Sequence, residues 1–387
     1  QTNAGGWNVE TLEVRDDQNP YQETNAPWMD ILAYDGYIIN ANQNGTSFSG
    51  LFQNGTTGTG EFEVEESGRI NEYNFSLGGN AYDVVYWGMT VGVTDLDYDL
   101  YSYYGESLRD AYVPYYVSGN QSEVHMANGD ASWGMQNYYR MEGTGVNFKM
   151  GLIVKPINEL RFGLAFHTPT FYSISTRYSS DLSYGFQAYN LAASDENING
   201  TTNADEGYEN EGSFDLQTPW RFIASAAAVV GGRGILSMDY ERNMYPKMKV
   251  SYDGREDRNV TEAINSYYKS SNTVRVGGEF RVTPQFSLRA GYAYQSSPVT
   301  TEIKDDKIQI PVMTAGTTMA YTLDNTTQYV TAGLGYRFKA MYADLAYVYK
   351  NRKSDYHAFS PDGDIPSPQS TITDKDSEIR FTLGFRF

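Results

Sequence analysis

The strongest constraint on the fold is a two-residue alternation that recurs along the chain, broken by connections that are by turns short and long. The final segment, Glu378 to Phe387, shows the alternation best. Ile379, Phe381, Leu383, Phe385 and Phe387 fall on one face, and Glu378, Arg380, Thr382, Gly384 and Arg386 on the other. A period of two is the strand signature. A soluble sheet would also bury one face, but the charges on the opposite face need water. An aromatic last residue on such a strand looks like the signal read by outer-membrane insertion machinery. The pattern recurs upstream in Met341–Tyr349, Gln328–Phe338, Phe286–Tyr294, Val274–Arg281, Leu236–Glu241, Trp220–Val230, Leu160–His167, Val146–Val154, Tyr86–Val93 and Ile70–Asn80. Trp28–Asn40 is a further candidate.

The connections narrow the choice. Ala81–Val85, Lys155–Glu159, Gly231–Gly234, Thr283–Gln285 and Lys339–Ala340 read as tight turns. Between them lie long polar stretches: Ala41–Arg69, Tyr101–Gly145, Ser173–Leu216, Lys249–Asn272, Ser296–Thr327 and Asn351–Ser377. An up-and-down barrel with short periplasmic turns and long extracellular loops predicts this order. A sandwich or a propeller does not. The expected fold is all-β: a transmembrane antiparallel up-and-down barrel of about twelve strands. It forms a single domain over residues 1–387, with a polar N-terminal segment at 1–27.

Composition agrees. The chain holds 34 Tyr and 37 Gly, yet its mean hydropathy is only -0.54. That suits strands of about ten residues in which only alternate positions are apolar. No apolar run approaches the length of a spanning helix. The net charge of -19 argues against a nucleic-acid partner. Zero Cys excludes disulfides and thiolate metal sites. Residue 1 is Gln, so any signal peptide is expected to have been removed. His125, His167 and His357 do not sit at metal-ligand spacing, GGRG at Gly231 is a turn rather than a phosphate loop, and no Ser–His constellation stands out. No catalytic residue, metal or cofactor is therefore expected. The inward faces mix acids (Glu72, Asp239, Glu241, Glu279, Asp344, Glu378) with a slightly larger basic set that includes Lys149, Arg161, Arg221, Arg275 and Arg289. The acid excess is assigned to loops, as at Asp205, Glu206, Glu209 and Glu211. It reads as solvated surface, or as a place for divalent cations that bridge to anionic lipid head groups.

Several phrases, in this order, resemble the FadL family of outer-membrane transporters for long-chain fatty acids and other hydrophobic molecules. They are INEYNFSLGGNAYDVVYWGMTVGV at Ile70–Val93, KPINELRFGLAFHTPT at Lys155–Thr170, TPWRFIASAAAVV at Thr218–Val230, LSMDYERNMY at Leu236–Tyr245, and VTAGLGYRFKAMYADLAYVYK at Val330–Lys350. The first resembles the Bacteroidota branch. The resemblance implies fourteen strands and a lumen plugged by an N-terminal hatch. The hatch and first strands have no match here, so either the chain lacks them or they precede Gln1. Trp28–Asn40 would be the third strand, with Gly36 at its kink forming a lateral opening. Tyr101–Gly145 and Ser173–Leu216 would be loops forming a surface groove for a hydrophobic ligand. The candidate ligand-binding residues are Tyr112, Val113, Tyr115, Tyr116, Met126 and Trp133, with Phe166 and His167 at a strand end. The competing readings are aromatic residues that pack a loop onto itself or sit at the lipid interface and, for His167, a hydrogen-bonded lumen side chain. The implied function is passive uptake of hydrophobic small molecules such as long-chain fatty acids. Its partners are that ligand, outer-membrane lipids and the insertion machinery. The alternatives are a barrel subunit of a protein secretion system and a porin for polar solutes.

Overall fold

The structure, a computed structural model, describes residues 28–41, 48–118, 120–204, 210–304, 320–358 and 368–385. One antiparallel sheet dominates it. Besides three short strands at Glu196–Asn197, Asn199–Asn203 and Arg255–Glu256, it holds β1 (Thr57–Ala81), β2 (Val85–Val117), β3 (Asn120–Ile157), β4 (Leu160–His167), β5 (Phe171–Ala188), β6 (Asn210–Gln217) and β7 (Trp220–Val230). They continue with β8 (Gly234–Met244), β9 (Lys249–Tyr252), β10 (Ser271–Arg281), β11 (Phe286–Gln295), β12 (Tyr321–Phe338), β13 (Met341–His357) and β14 (Gln369–Phe385). The five expected tight turns all join neighbouring strands at one end of the sheet. At the turn between β7 and β8, Gly231 and Gly232 take φ of 57° and 67°, which a residue with a Cβ adopts reluctantly.

Register converts the alternation into two faces. Leu77 pairs with Met89, Met89 with Met150, Met150 with Phe166, and Phe166 with Phe222. Further round, Leu288 pairs with Leu334, Leu334 with Leu345, and Leu345 with Phe381. These rows lie on the outer face, within about ten residues of the short turns. Phe75, Leu164 and Ile379 there are 72%, 64% and 73% exposed. An exposed apolar surface of this extent is built to meet an apolar medium.

Three adjacent wall strands are split at one level, each at a proline. Thr168, Pro169 and Thr170 separate β4 from β5; Thr218 and Pro219 separate β6 from β7; a 3-10 turn at Tyr245–Lys247 separates β8 from β9. Proline cannot donate to the ladder. Threonine hydroxyls beside the breaks take up ladder amides: Phe148 N donates to Thr168 Oγ1 at 2.9 Å and Thr170 N to Thr218 Oγ1 at 2.8 Å. With these halves joined, the fourteen segments make eleven wall strands. No register relates β1 to β14 among the described residues, and β14 is exposed along almost its whole length.

Several expectations are corrected. The stretches Tyr101–Gly145 and Ser173–Leu216 are not loops. They are mostly strand, since β2 and β3 run for 33 and 38 residues. At about 3.3 Å per residue the hairpin is on the order of 110 Å long, far more than an apolar band requires. The alternation in these stretches was real, but beyond the band neither face has to be apolar, so polar content disguised it. Beyond Leu108 one extra residue enters β2: Leu108 faces Ala131, whereas Ala111 faces Gly129. Asp110, at φ 52°, forms this bulge, and its carbonyl accepts from Gln53 Nε2 and Thr56 Oγ1, each at 2.9 Å.

Trp28–Asn40 is not a strand either. Trp28–Asp35 forms helix α1, so the wall numbers eleven strands rather than twelve. The adjacent Ile31 and Leu32 are both buried, which a helix face allows and one face of a strand does not. With Ile38 and Leu51 they form a core against Leu108, Val113, Trp133, Leu182 and Phe186, on the inner face of β2, β3 and β5. Gly36 is not a strand kink. It ends α1, where a Cβ would overlap Leu182 Cδ2. Asp205, Glu206, Glu209, Asp362 and Asp364 lie outside the described residues.

The Gly36 contact predicts that Gly36→Ala loosens the α1 cap by about 1–3 kcal/mol through overpacking. The expected readout is faster chymotryptic cleavage beside Tyr34 and Tyr37, reversed when Leu182→Ala is added. Equal cleavage rates would show that α1 is not pressed against β5.

Candidate functional site

The inner face carries two storeys between α1 and the short turns. In the upper storey, cross-strand rows bring apolar and aromatic side chains together. Leu96 pairs with Gly143, Gly143 with Ile174, and Ile174 with Phe214. One step further from the turns, Tyr98 pairs with Met141; one step nearer, Tyr172 pairs with Leu216. Tyr172 and Ile174 are 7% and 2% exposed, while their neighbours Phe171, Ser173 and Ser175 face outward and are exposed. Gly143 and Gly145 bring no side chain to these rows, and their neighbours close over them: a Cβ at Gly143 would overlap Ile174, and one at Gly145 would overlap Thr94, Thr170 and Tyr172. Burial pushes the Tyr98 and Tyr139 phenols above their ordinary range, so both stay uncharged. A polar cluster closes the storey toward α1. Tyr178 Oη and Ser180 Oγ donate to Asn137 Oδ1 at 3.0 and 2.8 Å, and Asn137 Nδ2 donates to Ser102 Oγ at 3.3 Å.

The lower storey is charged. Lys149 Nζ lies 2.6 Å from Glu72 Oε1, which also accepts from Asn147 Nδ2 at 2.8 Å. His167 stands between Lys149 and Arg221 in the ladder. Glu241 is buried and pairs with Arg275 at 2.7 Å and Arg221 at 3.5 Å, while Asn243 Nδ2 donates to it at 2.9 Å. Arg289 joins Glu279 at 2.7 Å and Asp344 at 2.5 Å. The expected mixed lumen is therefore a set of ion pairs on inward positions. Among the described residues no cluster of His, Asp and Glu suited to a metal ion occurs.

The structure scatters the residues singled out from sequence. Val113 and Trp133 are buried in the core beneath α1. Tyr112, Tyr115, Tyr116 and Met126 lie near the far tip of the β2–β3 hairpin, where Tyr115 packs edge-on to His125 and Tyr116 Oη meets Tyr37 Oη at 3.1 Å. Phe166 is on the outer face, stacked on Trp220 at 5.3 Å and beside Phe222 at 5.0 Å. His167, the next residue, is on the inner face. The eight do not form one site. Sequence reasoning missed Leu96, Tyr98, Met141 and Ile174. The signal that would have found them was the period of two continuing through stretches read as loops.

The lower storey yields a prediction. Glu241→Gln strips two guanidinium groups of a buried partner, which costs more than losing the whole triad. In a gel assay of heat-induced barrel unfolding, E241Q is expected to unfold at a lower temperature than the triple variant E241Q/R221Q/R275Q. The reverse order would show that the three charges do not act as a unit.

A family model described as "Outer membrane protein transport protein (OMPP1/FadL/TodX)" matches residues 73–362, well over half of the chain. Among solved structures, a Pseudomonas aeruginosa FadL homologue is 12% identical, with 80% of this chain and 76% of that one covered and a TM-score of 0.40. The Pseudomonas putida toluene transporter TodX is 12% identical, with coverages of 78% and 86% and a TM-score of 0.32. The Ralstonia pickettii toluene transporter TbuX is 13% identical, with coverages of 80% and 78% and a TM-score of 0.31. No curated sequence matches the chain. The outer apolar band and the ion-paired inner face are those of a protein that spans a membrane with strands, and the family is one of transport, not catalysis. The chain belongs to the OMPP1/FadL/TodX family of outer-membrane transport proteins.

Proposed function

We propose that the protein passes hydrophobic small molecules, such as long-chain fatty acids, passively across the outer membrane. The observation that carries this reading is the upper storey: an apolar and aromatic inner face with Tyr172 and Ile174 buried and Leu96 and Met141 half-buried, standing beyond the membrane band on the side of the charged ring away from the short turns. Transfer of an acyl chain from water to such a surface gains about 0.8 kcal/mol per methylene. A ten-carbon stretch is then captured without any energy source. A carboxylate at the lower end of the chain would meet Lys149, His167 and Arg221. Of the residues singled out from sequence, His167 belongs to this path. Tyr112, Tyr115, Tyr116 and Met126 stand at its outer approach. Phe166, facing lipid, takes no part.

The test is uptake of radiolabelled oleate by cells that lack their own fatty-acid channel and express this protein. Uptake should exceed that of empty cells. Ile174→Glu, which puts a charge on the upper storey, should lower it about tenfold, equivalent to about 1.4 kcal/mol, while the barrel still assembles. Uptake equal to that of empty cells would sink the proposal, as would an I174E protein as active as the parent. Large, solute-independent conductance in a planar bilayer would point to a porin instead.

A further inference from the structure

The outer face holds a feature that inward transport does not use. On every wall strand, the outward positions up to the ninth residue from a short turn are uncharged, with one exception among the described residues, Arg242. Its register partners are Phe222 on β7 and Asn272 on β10, and Tyr240 and Met244 share its face. Nine residues at about 3.3 Å each, on a strand tilted by about 40°, rise roughly 23 Å from the turn. The apolar band of such barrels is about 25 Å tall, so Arg242 sits at the outer interface, at the height of lipid head groups. Trp220, beside it in the ladder, fits the interfacial aromatic belt.

Arg242 has no carboxylate partner among the described residues, unlike Arg221, Arg275 and Arg289 of the inner face. It borders an apolar cleft of 740 Å³ on the outer wall, lined by Trp87, Met89, Leu152, Leu164, Phe222 and Ala224 among others. The cleft crosses the five wall strands from β2 to β8. At about 4.8 Å per strand spacing it is roughly 19 Å wide, several acyl chains rather than one. A guanidinium above it supplies bidentate recognition of a phosphate oxygen pair, in a chain whose net charge of -19 otherwise repels anions.

We infer that Arg242 and the cleft below it bind a phosphate-bearing, multiply acylated glycolipid of the outer leaflet, with the phosphate on the guanidinium and the acyl chains against the cleft. The site is distinct from the transport path, since Arg242 and the side chains of Trp87, Met89, Leu152, Leu164, Phe222 and Ala224 face the outer side of the wall.

The test is mass spectrometry and phosphate analysis of lipid retained by the detergent-washed, folded protein. The wild type should retain phosphoglycolipid. Arg242→Gln should lower retention about fivefold, the effect of one cation at a membrane surface, and Arg242→Lys should restore part of it. Ala224→Trp, which fills the cleft and leaves the arginine in place, should also lower retention. Full retention by R242Q or by A224W overturns the inference. So does a wild type that holds only glycerophospholipid, or none. Heat-shifted gel mobility of each variant establishes that the barrel has formed.

Discussion

A backbone amide inside a bilayer has no water to bond, so every one that crosses the apolar band must find a carbonyl on the next strand. The rest of this architecture depends on that requirement. It fixes the antiparallel ladder from β1 through β14 and, with it, a strict in-out order of side chains. It explains why the three proline breaks fall where they do. Pro169, Pro219 and Pro246 stand beyond the apolar rows or at their upper limit, where threonine hydroxyls accept from backbone amides beside the first two breaks. It also identifies the place where the accounting is unfinished among the described residues, the free edges of β1 and β14.

Electrostatics follow the same division. Several charges that face inward are held in pairs across the sheet, Lys149 with Glu72, Arg275 with Glu241, Arg289 with Glu279 and Asp344. These pairs bridge strands at the level of the apolar band, so the lumen is polar without presenting a strong field of one sign. Toward α1 the inner face turns apolar. The protein thus carries an oily surface where the outside is water and a polar one where the outside is oil.

Much of this was legible in the sequence because two-residue periodicity and tight turns are local signals. The apolar rows from Ile70 to Phe385 and all five short turns were read correctly, as were the inward positions of Glu72, Lys149, Arg221 and Glu241. What failed did so for physical reasons. The upper halves of β2, β3 and β5 are strands with water or a partner segment on each side, so their outward positions need not be apolar and Tyr101–Gly145 read as a loop. Trp28–Asn40 read as a strand, and the burial of adjacent Ile31 and Leu32 is what marks its first part as helix. The candidate ligand residues were chosen for aromatic density, which marks packing as readily as binding. Val113 and Trp133 belong to the core beneath α1, while Ile174, less conspicuous, lines the inner surface.

The bulge at Asp110 bears on how such a hairpin changes length. Below it the even-numbered residues of β2 face inward; beyond it Ala111 and Val113 do. One residue thus exchanges the two faces for everything farther from the membrane, and Gln53 and Thr56 hold the exchange in place. A single-codon insertion between Leu96 and Tyr98 would turn Tyr98, Ser102 and Glu106 to the outside in one step. Two codons would merely lengthen the wall. Viable length variation in this arm should therefore come in even steps, or as odd steps matched by a second bulge, so that insertions and deletions here are read in units of two residues.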